Sequence, residues 1–255
     1  MLNIVIPMAG RGKRFQDAGY ELPKPLIPVH DQPMIQLVID NVRPRREHRF
    51  IFLVLEEHIR RYGIADQLTR WVPGSVVLPV PGVTEGAACT VLTAAPLIDN
   101  QDALLIANSD QWVDCRIDDF LSAMDSSKSD GFIMTMKAND TKWSYVELDA
   151  QGLVRRVVEK VVVSDEATVG IYAYRQGSLF VRSARQMIAK NLRVNGEFYV
   201  APAYDEMIAG GSRVGIFNVG SLDAGMYGLG TPADLVRFRG HEASRRAEKR
   251  ASGKA

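Results

Sequence analysis

Apolar residues in this chain come in short unbroken runs, separated by segments whose apolar positions recur at helical spacing. Leu2–Ala9, Phe50–Leu55, Val76–Val80 and Ala103–Ala107 are the runs. Their length and continuity predict strands buried on both faces. Between them, Met34, Ile35, Val38 and Ile39 sit at helical spacing. Glu57–Arg70, Gly86–Ala95 and Asp118–Met124 also predict helices. Strand alternating with helix is the pattern of a parallel sheet covered by helices, an α/β architecture. After Asp130 the rhythm changes: Phe132–Met136, Ser144–Leu148, Leu153–Glu159 and Thr168–Tyr174 read as strands with less helix between them. Helices over Ser178–Lys190 and Tyr204–Ala209 and a strand over Arg213–Asn218 follow. From Arg237 the chain is charged and poor in apolar residues. It reads as an exposed helix or disorder, its basic residues a solvated face.

Composition narrows the classes without choosing one. The 255 residues are 46% hydrophobic and 24% charged, and 31 basic against 30 acidic residues leave a net charge of +1. No field of one sign points to nucleic acid or an anionic membrane. No apolar run approaches the length of a membrane span, and the N-terminal residues lack the marks of a signal peptide. Two cysteines (Cys89, Cys115) outside any Cys-x-x-Cys pair make no disulfide framework and suit a reducing cytoplasm. The four histidines lack metal-ligand spacing.

The candidate chemistry lies at the carboxyl end of the first strand, where ligands bind in α/β sheets. Ala9-Gly10-Arg11-Gly12-Lys13-Arg14-Phe15 is a basic Gly-rich loop in which main-chain N–H groups can cradle an anion. It is not a P-loop, because Gly12-Lys13 is followed by Arg14 and no glycine stands five residues before Gly12. It is not the dinucleotide fingerprint either, because Phe15 holds the last glycine position. Alone, the loop reads equally as a tight turn carrying surface cations. Ten positions beyond Arg14, Pro23-Lys24-Pro25-Leu26 puts a lysine on a stiff stem, a point charge suited to phosphate.

Together with Gln32-Pro33-Met34-Ile35, these segments resemble the N-terminal signature of the sugar-1-phosphate nucleotidylyltransferases. The likeness extends more loosely to about Leu235. It implies a Rossmann-like nucleotidyltransferase fold: a mixed, mostly parallel central sheet flanked by helices. Residues 1–235 would form one domain, with a nucleotide-binding part (1–130) and an acceptor-binding part (131–235), followed by a charged tail (236–255). The implied reaction transfers a nucleotidyl group from a nucleoside triphosphate to a sugar 1-phosphate and releases pyrophosphate.

By the same resemblance, Ala9, Gly10, Gly12 and Lys13 wrap the triphosphate, Arg14 neutralises the leaving pyrophosphate and Lys24 holds the phosphoryl group under attack. Glu85 and Gly86, in Thr84-Glu85-Gly86-Ala87-Ala88, would lie against the base. Asp110, in Asn108-Ser109-Asp110, would bind Mg²⁺. Val157-Val158-Glu159-Lys160 matches the family's Glu-Lys motif: Glu159 meets sugar hydroxyls and Lys160 the acceptor phosphate. Gly170 lines the sugar pocket, though Thr168 replaces the family's asparagine two residues before it. Glu197, in Asn195-Gly196-Glu197-Phe198-Tyr199, would face the acceptor. Gly228-Leu229-Gly230-Thr231-Pro232 keeps the family's Gly-Thr-Pro turn but has Gly228 where a second metal carboxylate is usual, so Asp223 is the candidate substitute. A non-sugar acceptor (a polyol phosphate or phosphocholine) and a non-catalytic binding homologue are the alternatives. The expected partners are the two substrates, with neither nucleic acid nor membrane, and a homo-oligomer is left open.

Overall fold

The central strands are buried on both sides because their side chains divide between two cores. In β1 (Leu2–Met8), Ile4 and Ile6 face one core and Val5 the other. The computed structural model describes residues 1–251. After β1 come α1 (Lys13–Asp17), a 3-10 turn (Lys24–Leu26), the small hairpin β2 (Pro28–Val29) and β3 (Gln32–Pro33), and α2 (Met34–Asn41). Then follow β4 (His48–Leu55), α3 (Glu56–Tyr62), α4 (Ile64–Trp71), β5 (Val76–Val80), α5 (Ala87–Leu92), α6 (Ala95–Ile98) and β6 (Ala103–Ala107).

The helix predicted over Glu57–Arg70 is two helices. Gly63 adopts a left-handed backbone (φ 58°) between α3 and α4 and turns the chain. In the same way, the helix predicted over Gly86–Ala95 ends at Leu92, and α6 is a separate short helix.

The second half runs β7 (Gln111–Val113), α7 (Ile117–Ser127), β8 (Gly131–Lys137), β9 (Ser144–Leu148), β10 (Val154–Glu159), β11 (Glu166–Tyr174), α8 (Gly177–Ala189), α9 (Ala203–Ala209), β12 (Val214–Leu222), β13 (Gly225–Gly228), α10 (Pro232–Gly240) and α11 (Glu242–Ala251). The strands form one mixed sheet in the order β5-β4-β1-β6-β11-β8-β12-β13-β7, with β9 and β10 attached beside β11. The β5-β4-β1-β6 half is parallel, and β11 runs antiparallel to both β6 and β8. From β1 the chain moves outward to β4 and β5, then crosses to β6 on the other side. The crevice between such diverging connections is where α/β sheets bind ligands.

Helices α2, α4 and α7 cover one face around Ile35, Leu68 and Phe120; α5, α8 and α9 cover the other around Val91, Phe180 and Met207. A third core joins Phe15, Met34, Trp112, Tyr227 and Phe238 to Ala243 and Ala247. That third core corrects the reading of the C-terminal segment. α10 and α11 are packed: Ala243 and Ala247 are buried, Arg246 pairs with Asp114 at 2.6 Å, and the Arg250 guanidinium lies 5.4 Å from the Trp112 ring centre. His30 and Ser244 share a 2.8 Å hydrogen bond, so α11 also holds the β2–β3 hairpin. Residues 236–251 therefore belong to the folded body. The last four residues of the expected tail lie outside the described residues. No helix among the described residues is long and apolar enough to cross a membrane.

Candidate active site

Two adjacent strand ends build the site. β1 and β6 pair in parallel with Val5 opposite Ile106, so the Gly-rich loop and Asn108-Ser109-Asp110 leave the sheet side by side. Gly12 is left-handed (φ 65°), and a Cβ there would stand 3.1 Å from Lys24 Cβ. The loop therefore lies directly against the Pro-Lys-Pro segment. Lys24 Nζ donates to Asp110 Oδ2 at 2.9 Å, joining residues 86 positions apart. Both side chains are about a quarter exposed and open to a ligand. The Gly228–Gly230 turn closes over the same carboxylate: Leu229 N–H donates to the Asp110 carbonyl at 2.8 Å, and a Cβ at Gly230 would stand 3.2 Å from Asp110 Oδ2.

Around Gly10 there is open space, as close approach of a ligand to the backbone requires. Ala9 is buried in the core beneath. Arg14 and Lys13 are exposed at the start of α1, with no hydrogen-bond or ion-pair partner among the described residues. Arg14 shares the loop with Gly12, and no contact ties it to Lys24 or Asp110.

Next to Asp110 lies a second cluster. The Asn108 N–H donates to the Gly170 carbonyl at 2.9 Å. Gly170 is left-handed (φ 80°), and a Cβ there would come within 2.8 Å of Asn108 Cγ. Strand register puts Thr135 opposite Thr168, and Ser144 opposite Glu159. These residues prolong the sheet face that carries Ile133, Tyr172 and Val157, with Thr135 (0% exposed) and Thr168 (3%) buried in it. Ser144 Oγ donates a short hydrogen bond to Glu159 Oε2, and Thr168 and Tyr172 share one of 3.0 Å. Glu159 is 7% exposed, and burial raises its carboxyl above the usual range against the opposing pull of Ser144 and Lys160. Lys160 Nζ donates to the Tyr199 hydroxyl at 2.7 Å, which helps to hold the ammonium protonated. The Glu197 charge is felt by both Glu159 and Lys160, so it stands at the same cluster.

Three expectations are changed. Asp223 is not beside Asp110. β13 pairs antiparallel with β7, with Gly228 opposite Gln111 and Met226 opposite Val113. Asp223 therefore lies past the far end of that ladder and pairs with Arg237 at 3.1 Å; the same guanidinium pairs at 2.8 Å with Asp234, the carboxylate that stands against Gly228. Gly86 owes its lack of a side chain to protein packing: at φ 135° a Cβ would stand 2.5 Å from Phe198 N. Glu85 is taken by Arg193, with an ion pair of 3.0 Å. Ser144 and Tyr199 are residues of this cluster that the motifs did not select. Tyr199 had a signal, lying two residues after Glu197 in an acidic-aromatic loop. Ser144 had none, because only strand pairing brings it in.

The fold and this pair of clusters define an α/β protein that sets lysines and carboxylates near the switch point of its sheet. The chain belongs to the nucleotidyl transferase family, whose model matches residues 4–197. It is 27% identical over 221 residues to the bifunctional protein GlmU of Cupriavidus metallidurans and 29% identical over 220 residues to that of Paraburkholderia phymatum. Each match covers 84% of this chain and 46% of the relative, so the chain spans about half the length of these relatives. In fold it is similar to a nucleoside-diphosphate-sugar pyrophosphorylase from Vibrio cholerae (TM-score 0.80, 23% identity, 92% of this chain and 99% of that one). It is also similar to the inositol-1-phosphate CTP transferase of T. maritima (TM-score 0.74, 14% identity, 98% and 96%).

Proposed function

We propose that this protein transfers a nucleotidyl group from a nucleoside triphosphate to a sugar 1-phosphate, giving a nucleotide sugar and pyrophosphate. The observation that carries the reading is the Lys24–Asp110 pair against the Gly-rich loop, with the Glu159–Lys160–Tyr199 cluster as a second set of polar groups. A phosphate oxygen of the acceptor attacks the α-phosphorus, and pyrophosphate leaves from the opposite side. The attacking monoester is already anionic near neutral pH, so no general base is required. The demand on the protein is to bring like charges together and hold them in line. Lys24 holds the phosphoryl group under attack, Lys160 the acceptor phosphate, and Arg14, unpaired at the loop, the pyrophosphate. Residues 1–130 serve the nucleotide and 131–235 the acceptor.

The resemblance implies Mg²⁺. Among the described residues no group of three or more His, Cys, Asp or Glu could hold a metal, and Asp110 is the carboxylate at the crevice. A single carboxylate suits Mg²⁺, which keeps several waters and binds largely through substrate phosphates. Asp110 would hold it; when bound it would neutralise phosphate charge.

A polyol phosphate is a second acceptor class, since Glu159 and Glu197 would meet hydroxyls of either kind. Phosphocholine is the other non-sugar acceptor, distinguished from the polyols by its cationic head. The test is a matrix of the four nucleoside triphosphates with Mg²⁺ against sugar 1-phosphates, polyol phosphates and phosphocholine, read by released pyrophosphate. A sugar 1-phosphate pair is expected to give the largest rate. No release from any pair would sink the proposal.

A further inference from the structure

Lys160 carries a charge on a long flexible stem, and two carboxylates, Glu159 and Glu197, lie close enough to affect it. An ammonium that folded onto either would be neutralised and lost to an incoming phosphate. Here it rests on a neutral partner instead. Nζ donates to the Tyr199 hydroxyl at 2.7 Å. Glu159 is meanwhile engaged by Ser144. The other end of Lys160 is fixed as well: its backbone is left-handed (φ 58°) and its N–H donates to the Trp143 carbonyl at 3.0 Å. A lysine arrested by a hydroxyl and not by a direct ion pair is preorganised for an anion.

Tyr199 is in turn held by the nucleotide side. Phe198 N–H donates to the Glu85 carbonyl at 2.8 Å, and Ala88 N–H donates to the Phe198 carbonyl at 3.0 Å. These two bonds straddle Gly86, which has no side chain to hold Phe198 away. Arg193 adds a second tie: it pairs with Glu85, donates to the Gly196 carbonyl at 3.2 Å and lies 4.2 Å from the Phe198 ring centre. The Glu85–Ala88 strip and the Gly196–Tyr199 loop are thus one mechanical unit.

We infer that Tyr199 is a positioning residue that holds Lys160 free for the acceptor phosphate, and that Gly86 sets where Tyr199 stands, so that a change at the nucleotide-side strip is felt at the acceptor. The kinetic part of this inference rests on the function proposed above; the placement of Lys160 does not.

Two measurements test it. In steady-state assays on the best substrate pair, Tyr199→Phe keeps the ring and removes the hydroxyl. Its KM for the acceptor phosphate is expected to rise about ten-fold, the worth of one hydrogen bond made by a charged group. The KM for the triphosphate is expected to stay at the parent value. Gly86→Ala, which drives Phe198 away, is expected to raise the acceptor KM too, and adding Tyr199→Phe to it should cost little more. An acceptor KM unchanged in Tyr199→Phe, or a triphosphate KM raised equally, overturns the inference. The second measurement needs no turnover. Acylation of lysines by an amine-reactive ester, read by peptide mass spectrometry, is expected to modify Lys160 several-fold more slowly in Tyr199→Phe than in the parent, because the released ammonium folds onto Glu159 or Glu197, with Lys13 as the exposed internal standard. An unchanged or faster Lys160 rate overturns the inference even if no substrate pair is ever found. Inactivity in the substrate matrix with a slower Lys160 rate removes the proposed function and leaves the Tyr199 contact standing.

Discussion

At the scale of single residues, the site depends on charges that have been left available. Lys24 is the clearest case, since its ammonium rests on Asp110 and both groups keep contact with solvent. A partly exposed pair contributes little to folding, at most about 1 kcal/mol. The same charge aimed at a phosphoryl group under attack is worth far more, because it acts where negative charge develops. Lys24→Ala is accordingly expected to lower turnover about a thousand-fold while moving the urea unfolding free energy by no more than about 1 kcal/mol. Near-parental pyrophosphate release from that variant would count against the role given to Lys24. The lysine was legible in the sequence because flanking prolines announce a stiff segment. Its partner across 86 positions was not: a motif names a residue type, and only the fold names what that residue touches.

Among the elements, α2 shows what local pattern leaves out. Its apolar spacing predicts a helix, and Ile35, Val38 and Ile39 are buried as the spacing requires. Its polar end is less orderly. Asn41 at the last turn exchanges two 2.8 Å hydrogen bonds with the backbone of Val113 and so anchors the edge strand β7. Asp40 beside it is partly buried with Oδ2 unpartnered, and burial pushes its carboxyl up to about 6 despite Arg43 at 3.6 Å. A folded-state value above the ordinary 3.8 means that Asp40 favours folding only while protonated. That contribution is complete below 3.8 and is lost as the pH rises through about 6. Asp40→Asn escapes the loss. Its stability relative to the parent is expected to increase by about 2–3 kcal/mol across that window and stay flat above it, as read by urea unfolding at several pH values. A difference independent of pH would show that Asp40 is not strained by burial.

For the molecule as a whole, the C-terminal helix joins the body to the site. α11 covers Trp112, which is 1% exposed, and grips the β2–β3 hairpin just past Lys24 through His30 and Ser244. Arg239 adds a short hydrogen bond to the Pro28 carbonyl. Its buried face is made of Ala243, Ser244 and Ala247, small residues that let the helix approach α2 closely. Putting a charge into that face, as in Ala247→Asp, is expected to cost about 2–3 kcal/mol of unfolding free energy, whereas Arg245→Ala on the exposed face stays within about 0.5 kcal/mol. Equal, small effects at both positions would return the segment to the status of a loose tail.

By itself the sequence determined the buried parallel strands, the Gly-rich loop with its lysine, and the family, because apolar period and motif spacing are local quantities written along the chain. It could not decide that α11 packs, since a face of alanine and serine among arginines has the composition of a solvated helix. Nor could it decide that β11 runs backwards, because alternation carries no direction. Asp223 and Gly86 make the same point at the site. Five residues of separation place Asp223 near Gly228 along the chain, but strand pairing sends it to the opposite end of the ladder, and the Phe198 backbone fills the space that a side chain at Gly86 would take. Long-range pairing settled these matters, since it fixes distances that chain order leaves free.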